Sequence, residues 1–313
     1  METVDDENLI QIFEYDCRIR DLSKHTIEGY VNSVRLLSSY LQDHESSLLA
    51  VDKEILKEYI VYLRAENISY KTMKNRFSAF STFFDYLVYE DMVRKNIIND
   101  IRKRYLHRYK NGEGDVIRRK LISVEEMAGF IHSIVDIRDK AMALLLAKTG
   151  MRRNELVSIE LDDVDWEDMS IRIKRKRKSS NPLVFFDYET LVVLNRWLKK
   201  RELIADNGNN FLFVSYVDRS QGINGNGVYT SFVKWAKHAG LFDEHSKRIE
   251  DRFTPHCCRH WFTTHLRRAG MSREFIQELR GDKRHDAIDV YHHIDRNKLK
   301  DAYLSCIPQL GII

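Results

Sequence analysis

Thr254-Pro255-His256-Cys257-Cys258-Arg259-His260 is the stretch on which the reading of this chain turns. Proline has no N–H to lose and a backbone pre-set for a first helical position, so Pro255 opens a helix and His256 lies near its start. His256 and Arg259 are then three apart on one helical face. An imidazole that moves a proton, beside a guanidinium that donates paired hydrogen bonds, can hold and work on one phosphate group. Two readings compete with this. A zinc site would combine Cys257 or Cys258 with His256 or His260, but the sequence has no second cysteine pair at ligand spacing. A plain helix with two buried cysteines is the other.

Upstream, Thr149-Gly150-Met151-Arg152-Arg153-Asn154-Glu155-Leu156 places a glycine stop directly before a new helix. That arrangement is expected to hold the Arg152 guanidinium beside free backbone N–H groups, where an anion would bind. Arg152 and Arg153 read equally well as surface residues when taken alone. Downstream, Leu279-Arg280-Gly281-Asp282-Lys283-Arg284-His285 is followed by Val290-Tyr291-His292-His293. An isolated Tyr291 is more often a packing residue than a nucleophile.

Further out, the chain has 313 residues, a length that predicts two domains. With only 13 Gly and 3 Pro, it lacks the turn punctuation of many-stranded β folds, and a mainly helical protein is expected. Residues 1–100 read as a helical bundle. Ser23 caps the stripe Ile27, Tyr30, Val31, Val34, Leu37 and Leu41. A second stripe is Leu56, Tyr59, Ile60 and Leu63, and a third is Met73, Phe77, Phe80, Phe83, Phe84 and Leu87. An aromatic stripe can also stack on bases, but helical spacing favours a core. Residues 101–120 read as a basic linker and 121–313 as a second domain, which Ser123 and Glu126 open as a capping box. Helices are expected at about 138–148, 188–201, 228–239, 255–268 and 272–279, with another near 288–294. Met169–Ile173 and Leu183–Phe186 alternate as the arms of a β-hairpin with a very basic loop.

Charge is unevenly spread. Residues 1–100 hold 12 basic and 18 acidic side chains, leaving 39 and 29 beyond position 100. The dense clusters Arg102–Lys120 and Arg172–Lys178 suit a phosphate polyanion, through charge neutralisation and counterion release, although each alone also reads as a solvated face. The longest apolar run, Ala141 to Ala147, is far short of the roughly 20 residues of a membrane span. The acidic N-terminus is unlike a signal peptide, and Cys17, Cys257, Cys258 and Cys306 form no disulfide framework. A cytoplasmic protein off the membrane is expected.

In order and separation, the three constellations resemble the tyrosine recombinase (phage-integrase) family, including its Xer-like and archaeal virus or plasmid integrases. The family's first arginine box looks like Thr149 to Leu156 and makes Arg152 the first catalytic arginine. Its histidine-x-x-arginine-histidine box matches His256, Arg259 and His260, and its nucleophile box matches Leu279, Gly281, position 282 and Tyr291. The hairpin lysine aligns to Lys176, with Lys174 and Lys178 as alternates.

The resemblance implies a mainly α fold in two parts, a helical core-binding domain and a mixed catalytic domain with a small antiparallel sheet. It implies DNA cleavage by Tyr291 through a 3′-phosphotyrosyl link, with no ATP, cofactor or metal. Arg152 and Arg259 would grip the phosphate, His256 would act as base and Lys176 as acid. The partner would be a double-stranded recombination site, contacted by Arg102, Lys103, Arg104, Arg108, Lys110, Lys174, Arg175, Arg177, Lys178 and Lys283. A monomer or weak dimer off DNA would become a tetramer on two sites, with a C-terminal segment (Leu299, Ala302, Tyr303, Cys306, Ile307) docked on a neighbour. Docking on its own domain is the other reading.

Position 282 departs from the family pattern, which places histidine or tryptophan there. An ionised Asp282 can only accept hydrogen bonds. Asp282 is expected to hold a catalytic cation or the Tyr291 segment in place, with a neighbour such as Lys283 supplying the lost hydrogen bond. Two other functions stay open: a weak or inactive DNA-binding protein on the same fold, and topoisomerase-like resealing of one strand.

Overall fold

The computed structural model describes residues 5–106, 120–174, 183–246, 248–282 and 294–312. The chain divides into two compact units, Met1–Asp115 and Val116–Ile313.

The first unit is built from α1 (Asp6–Ile19), α2 (Lys24–Gln42), α3 (Lys53–Ala65), α4 (Tyr70–Tyr89) and α5 (Ile98–Tyr105). Side chains that accept the free N–H groups of a first turn set the starts of three of them: Ser23 takes Thr26 N, Asp52 takes Glu54 N and Ile55 N, and Ser69 takes Thr72 N. The aromatic stripe of α4 is core. Phe77, Phe80 and Phe83 are fully buried, and Phe83 meets Phe13 of α1 edge to face at 5.1 Å. Helix α1 lies outside the stripes read from sequence, and it closes the bundle with Leu9, Ile10, Phe13 and Cys17.

The basic segment begins differently from the expected linker. Residues 98–105 are helix, and Ile98, Ile101 and Leu106 are buried in the first core, so Arg102, Lys103 and Arg104 ride on the last turn of a packed element. Three apolar anchors outweigh the local charge in deciding the conformation. Arg108 and Lys110 lie outside the described residues.

The second unit is organised on α7 (Ile137–Thr149), which is buried along almost its whole length. Around it stand α6 (Val124–Ser133), α9 (Tyr188–Glu202), α10 (Gly225–His238) and α11 (Pro255–Arg268). Each fully buried Leu of Leu144–Leu146 is worth about 1.5–3 kcal/mol by removal from water. The capping box of Ser123 and Glu126 is formed as expected. Helix α10 starts earlier than its apolar pattern suggests, because the Asn224 side chain accepts from Gly227 N and makes Gly225 helical.

The hairpin arms pair antiparallel as β2 (Ser170–Arg172) and β3 (Leu183–Phe185), with Ile171 opposite Val184. A two-residue strand, β1 (Val164–Asp165), adds to the other edge of β2. The hairpin loop lies outside the described residues, and so does the helix expected near 288–294.

The C-terminal helix α13 (Arg296–Cys306) packs on its own unit: Leu299, Tyr303 and Ile307 share a core with Phe185, Phe262, Leu266 and Leu279. Beyond it, residues 308–312 are held by a buried ionic hub. Lys148, wholly inside, donates to Asp187 Oδ2 (2.5 Å), Glu189 Oε2 (2.6 Å) and the Pro308 carbonyl (2.7 Å), and Glu189 accepts from the backbone of Leu310 and Ile312. Lys148→Met should strand two carboxylates in the interior and cost about 3–5 kcal/mol, read by urea unfolding. Burial pushes the Glu189 carboxyl up, but the Lys148 ammonium and the two tail N–H groups outweigh it and hold its pKa below the ordinary 4.5. The Glu189 contribution to stability is therefore fully present above its unfolded pKa and is lost as acid takes the pH through the lower folded value.

Candidate active site

Gly150 ends α7 in the left-handed conformation (φ +62°), where a Cβ would collide with the Phe262 ring. This turn delivers Arg152 to the N-cap of a single helical turn, α8 (Arg153–Leu156). The free N–H groups expected here are not free at the first position. Glu155 closes back, accepting from Arg152 N at 2.6 Å through one oxygen and from Arg152 Nη1 at 2.9 Å through the other. The carboxylate fixes the guanidinium and leaves Nη2 to face the site.

Arg259 enters from α11 and is 5% exposed. It threads two distant segments together: Nη1 donates to the Gly150 carbonyl (2.8 Å) and Nη2 to the Arg280 carbonyl (2.7 Å). Helix α12 (Arg273–Arg280) ends at Gly281 in the left-handed conformation, which turns Asp282 back toward the arginines. Asp282 Oδ1 then accepts from Arg259 Nη2 at 2.9 Å and from Arg152 Nη2 at 3.4 Å. Arg280 Nε lies 3.1 Å from Oδ2, as an ion pair without hydrogen-bond alignment. Burial lowers the Arg259 pKa to about 10, with the charges of Arg152 and Arg280 pushing the same way and Asp282 and Glu155 opposing them. Arg259 is still a cation at neutral pH.

His256 stands exposed in the first turn of α11, its ring 5.1 Å from that of His260. With Arg152 it lines a cavity of about 500 Å³ shared with Arg153, Asn154, Tyr229 and Arg252. Cys257 and Cys258 are buried in the hydrophobic core, where burial pushes the Cys258 thiol well up. Among the described residues, no three His, Cys, Asp or Glu side chains group so as to hold a metal ion.

Arg152, Arg259 and Asp282 are thus brought into contact, and His256 shares a cavity with Arg152. Lys174 pairs with Glu160, which pushes its ammonium pKa up. Lys176, Tyr291, Lys283, Arg175, Arg177 and Lys178 lie outside the described residues. Glu155, Arg280 and the cavity residues Tyr229 and Arg252 were not singled out from sequence. For Glu155 a signal existed in its spacing of three from Arg152. For Tyr229 there was none, because only the fold brings α10 against α8.

The phage integrase family model matches residues 121–298, and the family's N-terminal SAM-like domain matches residues 11–91. The chain belongs to the phage integrase family. Among curated relatives of this tyrosine recombinase are a tyrosine recombinase XerC of Vibrio vulnificus (strain YJ016), 27% identical over 96% of this chain and 91% of the relative, and a tyrosine recombinase XerD of Rickettsia conorii (strain ATCC VR-613 / Malish 7), 24% identical over 95% and 97%. Solved structures share the fold. The Tn1549 transposon integrase in complex with circular intermediate DNA has a TM-score of 0.68 at 21% identity, covering 94% of this chain and 98% of that one. A lambda integrase dimer bound to a COC′ core site has 0.68 at 16%, covering 92% and 97%. As in that fold, the described residues are mainly helical with a small three-stranded antiparallel sheet. None of the described helices is long and apolar enough to cross a membrane.

Proposed function

We propose that this chain is a site-specific DNA recombinase that cuts and rejoins DNA through a 3′-phosphotyrosyl intermediate. The observation that carries the reading is the convergence of Arg152 Nη2 and Arg259 Nη2 on one anionic oxygen, Asp282 Oδ1. Two guanidiniums from remote segments that meet on a single oxyanion form a preorganised site for charge, and preorganisation is what a phosphoryl transition state needs.

On this reading the Tyr291 oxygen attacks the scissile phosphorus, the bond to the 5′-oxygen breaks, and Arg152 and Arg259 hold the non-bridging oxygens. His256, exposed beside Arg152, takes the phenolic proton. Lys176 gives a proton to the departing 5′-oxygen. A second 5′-hydroxyl then attacks the phosphotyrosine and releases Tyr291, so bond energy is carried through the covalent link without ATP. The basic side chains of α5 and of the hairpin supply sequence-independent contacts to phosphates. Recombination places four copies on two sites, and the protein works in the cytoplasm on its DNA.

A nicked suicide substrate tests the reading. Cleavage there loses the 5′ fragment by diffusion, and a covalent protein–DNA species should accumulate on a denaturing gel. Retention of DNA by native gel without any such species would make the chain a binder only. A 5′-bridging phosphorothiolate substrate locates the acid, because its thiolate leaving group needs no proton. It should restore cleavage to Lys176→Ala. Rescue of Lys174→Ala or Lys178→Ala in its place would move the acid two residues along the hairpin, and rescue of none of the three would take it outside the hairpin.

A further inference from the structure

We propose that Asp282 is an internal stand-in for the scissile phosphate: in the DNA-free chain its carboxylate fills the anion position between Arg152 and Arg259, and a DNA phosphate binds by displacing it. The proposal rests on the reading that these two arginines hold the scissile phosphate.

Arg152 is paired with Glu155 and Arg259 is tied to two carbonyls, yet their Nη2 atoms and Arg280 Nε converge on the position of the Asp282 carboxylate. The carboxylate meets them with one oxygen toward Arg152 and Arg259 and the other toward Arg280. Its fit is good to Arg259 at 2.9 Å and poor to Arg152 at 3.4 Å, beyond the usual range for N–H···O. A phosphodiester has two non-bridging oxygens and can serve both guanidiniums fully, whereas a single carboxylate oxygen shared between them cannot. Carboxylate and phosphate cannot share these donors, since two anions at this separation repel.

Asp282 is therefore a positioning and specificity residue. It keeps both arginines aimed while the site is empty of DNA, and it makes the site refuse small free oxyanions. A phosphate held in place by the rest of a bound duplex has the additional binding energy to expel the carboxylate, and inorganic phosphate does not. A hydrogen-bond donor at this position would leave the Nη2 groups of both arginines without this carboxylate between reactions.

The test uses the full-length chain without DNA and inorganic phosphate as the probe, at constant ionic strength, with calorimetry for affinity and circular dichroism for the fold. Asp282→Asn keeps shape and removes charge, and should bind phosphate about tenfold or more tightly than wild type. Adding Arg259→Ala to Asp282→Asn should remove the gain. Equal phosphate affinity in wild type and Asp282→Asn overturns the proposal, and so does a gain that survives Arg259→Ala, which would place the ion elsewhere.

Should Asp282→Asn fail to fold, the unmodified chain still decides. Its Arg259 guanidinium ¹⁵N resonances should shift on adding duplex DNA and stay fixed on adding phosphate alone, and a shift with phosphate alone overturns the proposal. The underlying reading fails separately, if Arg259→Ala cleaves suicide DNA at the wild-type rate whatever the phosphate titrations give.

Discussion

Tyr291→Phe is expected to bind DNA with unchanged affinity and to form no covalent adduct on a nicked suicide substrate. The substitution deletes one oxygen and leaves the ring, so contacts to the duplex remain while the nucleophile is gone. The loss in cleavage should be about 10⁴-fold or more, the scale on which removal of a nucleophile acts. Two other tyrosines of the catalytic unit sharpen the result. Tyr303 is the obvious substitute by sequence position, yet it is wholly buried, it donates to the Lys148 carbonyl at 3.0 Å, and burial pushes its phenol well above 10. Tyr229 lines the cavity with Arg152 and His256 and is partly exposed. Tyr229→Phe should therefore trap DNA as the wild type does. An adduct that disappears in Tyr229→Phe and persists in Tyr291→Phe would move the nucleophile onto α10.

What the sequence made legible was local. The start of α11 at Pro255, the capping box at Ser123 and the glycine stop at Gly150 each follow from a handful of neighbouring residues, and each stands in the structure where the pattern puts it. Helix α5 was hidden by its own composition: in an eight-residue helix with Arg102, Lys103 and Arg104 in its last turn, charge masks the spacing of Ile98 and Ile101. In helix α1 the four buried apolar anchors are interleaved with exposed Ile12, Tyr15 and Ile19, which blur the apolar stripe.

Long-range pairings were the least legible. Lys148 sits in a run that reads as the end of an apolar helix, and nothing near it in sequence announces Asp187, Glu189 or the chain end as its partners. The same holds for Asp282. As a departure from the family pattern it stands out, and it is expected to hold a catalytic cation or the Tyr291 segment. That a single oxygen would serve two guanidiniums depends on two left-handed glycines, Gly150 and Gly281, on separate segments.

Arg259→Ala and Arg152→Ala are expected to lower single-turnover cleavage by about 10²–10³-fold each, the cost of deleting one preorganised donor to a developing oxyanion. DNA binding should fall far less, because one phosphate contact among many is lost and the salt dependence should shift by about one counterion. Both variants should also lose stability, by different routes. Arg259 is buried and satisfies the Gly150 and Arg280 carbonyls, so its removal leaves buried acceptors without partners, at about 1–3 kcal/mol, and loosens the turn that carries Asp282. The Arg152 side chain is 36% exposed, but its partner Glu155 is only 9% exposed, so Arg152→Ala leaves a nearly buried carboxylate that keeps the Arg152 N–H and loses its cation, and it should also cost about 1–3 kcal/mol. Arg259→Lys separates the two roles, since it retains a charge but cannot span three acceptors with a planar fork. If Arg259 acts only as a structural tie, cleavage should track stability across the series and return when the variants are assayed well below their melting temperatures. If it holds the scissile phosphate, the cleavage defect should persist in a fully folded sample, and Arg152→Ala should show the same defect when it too is assayed fully folded.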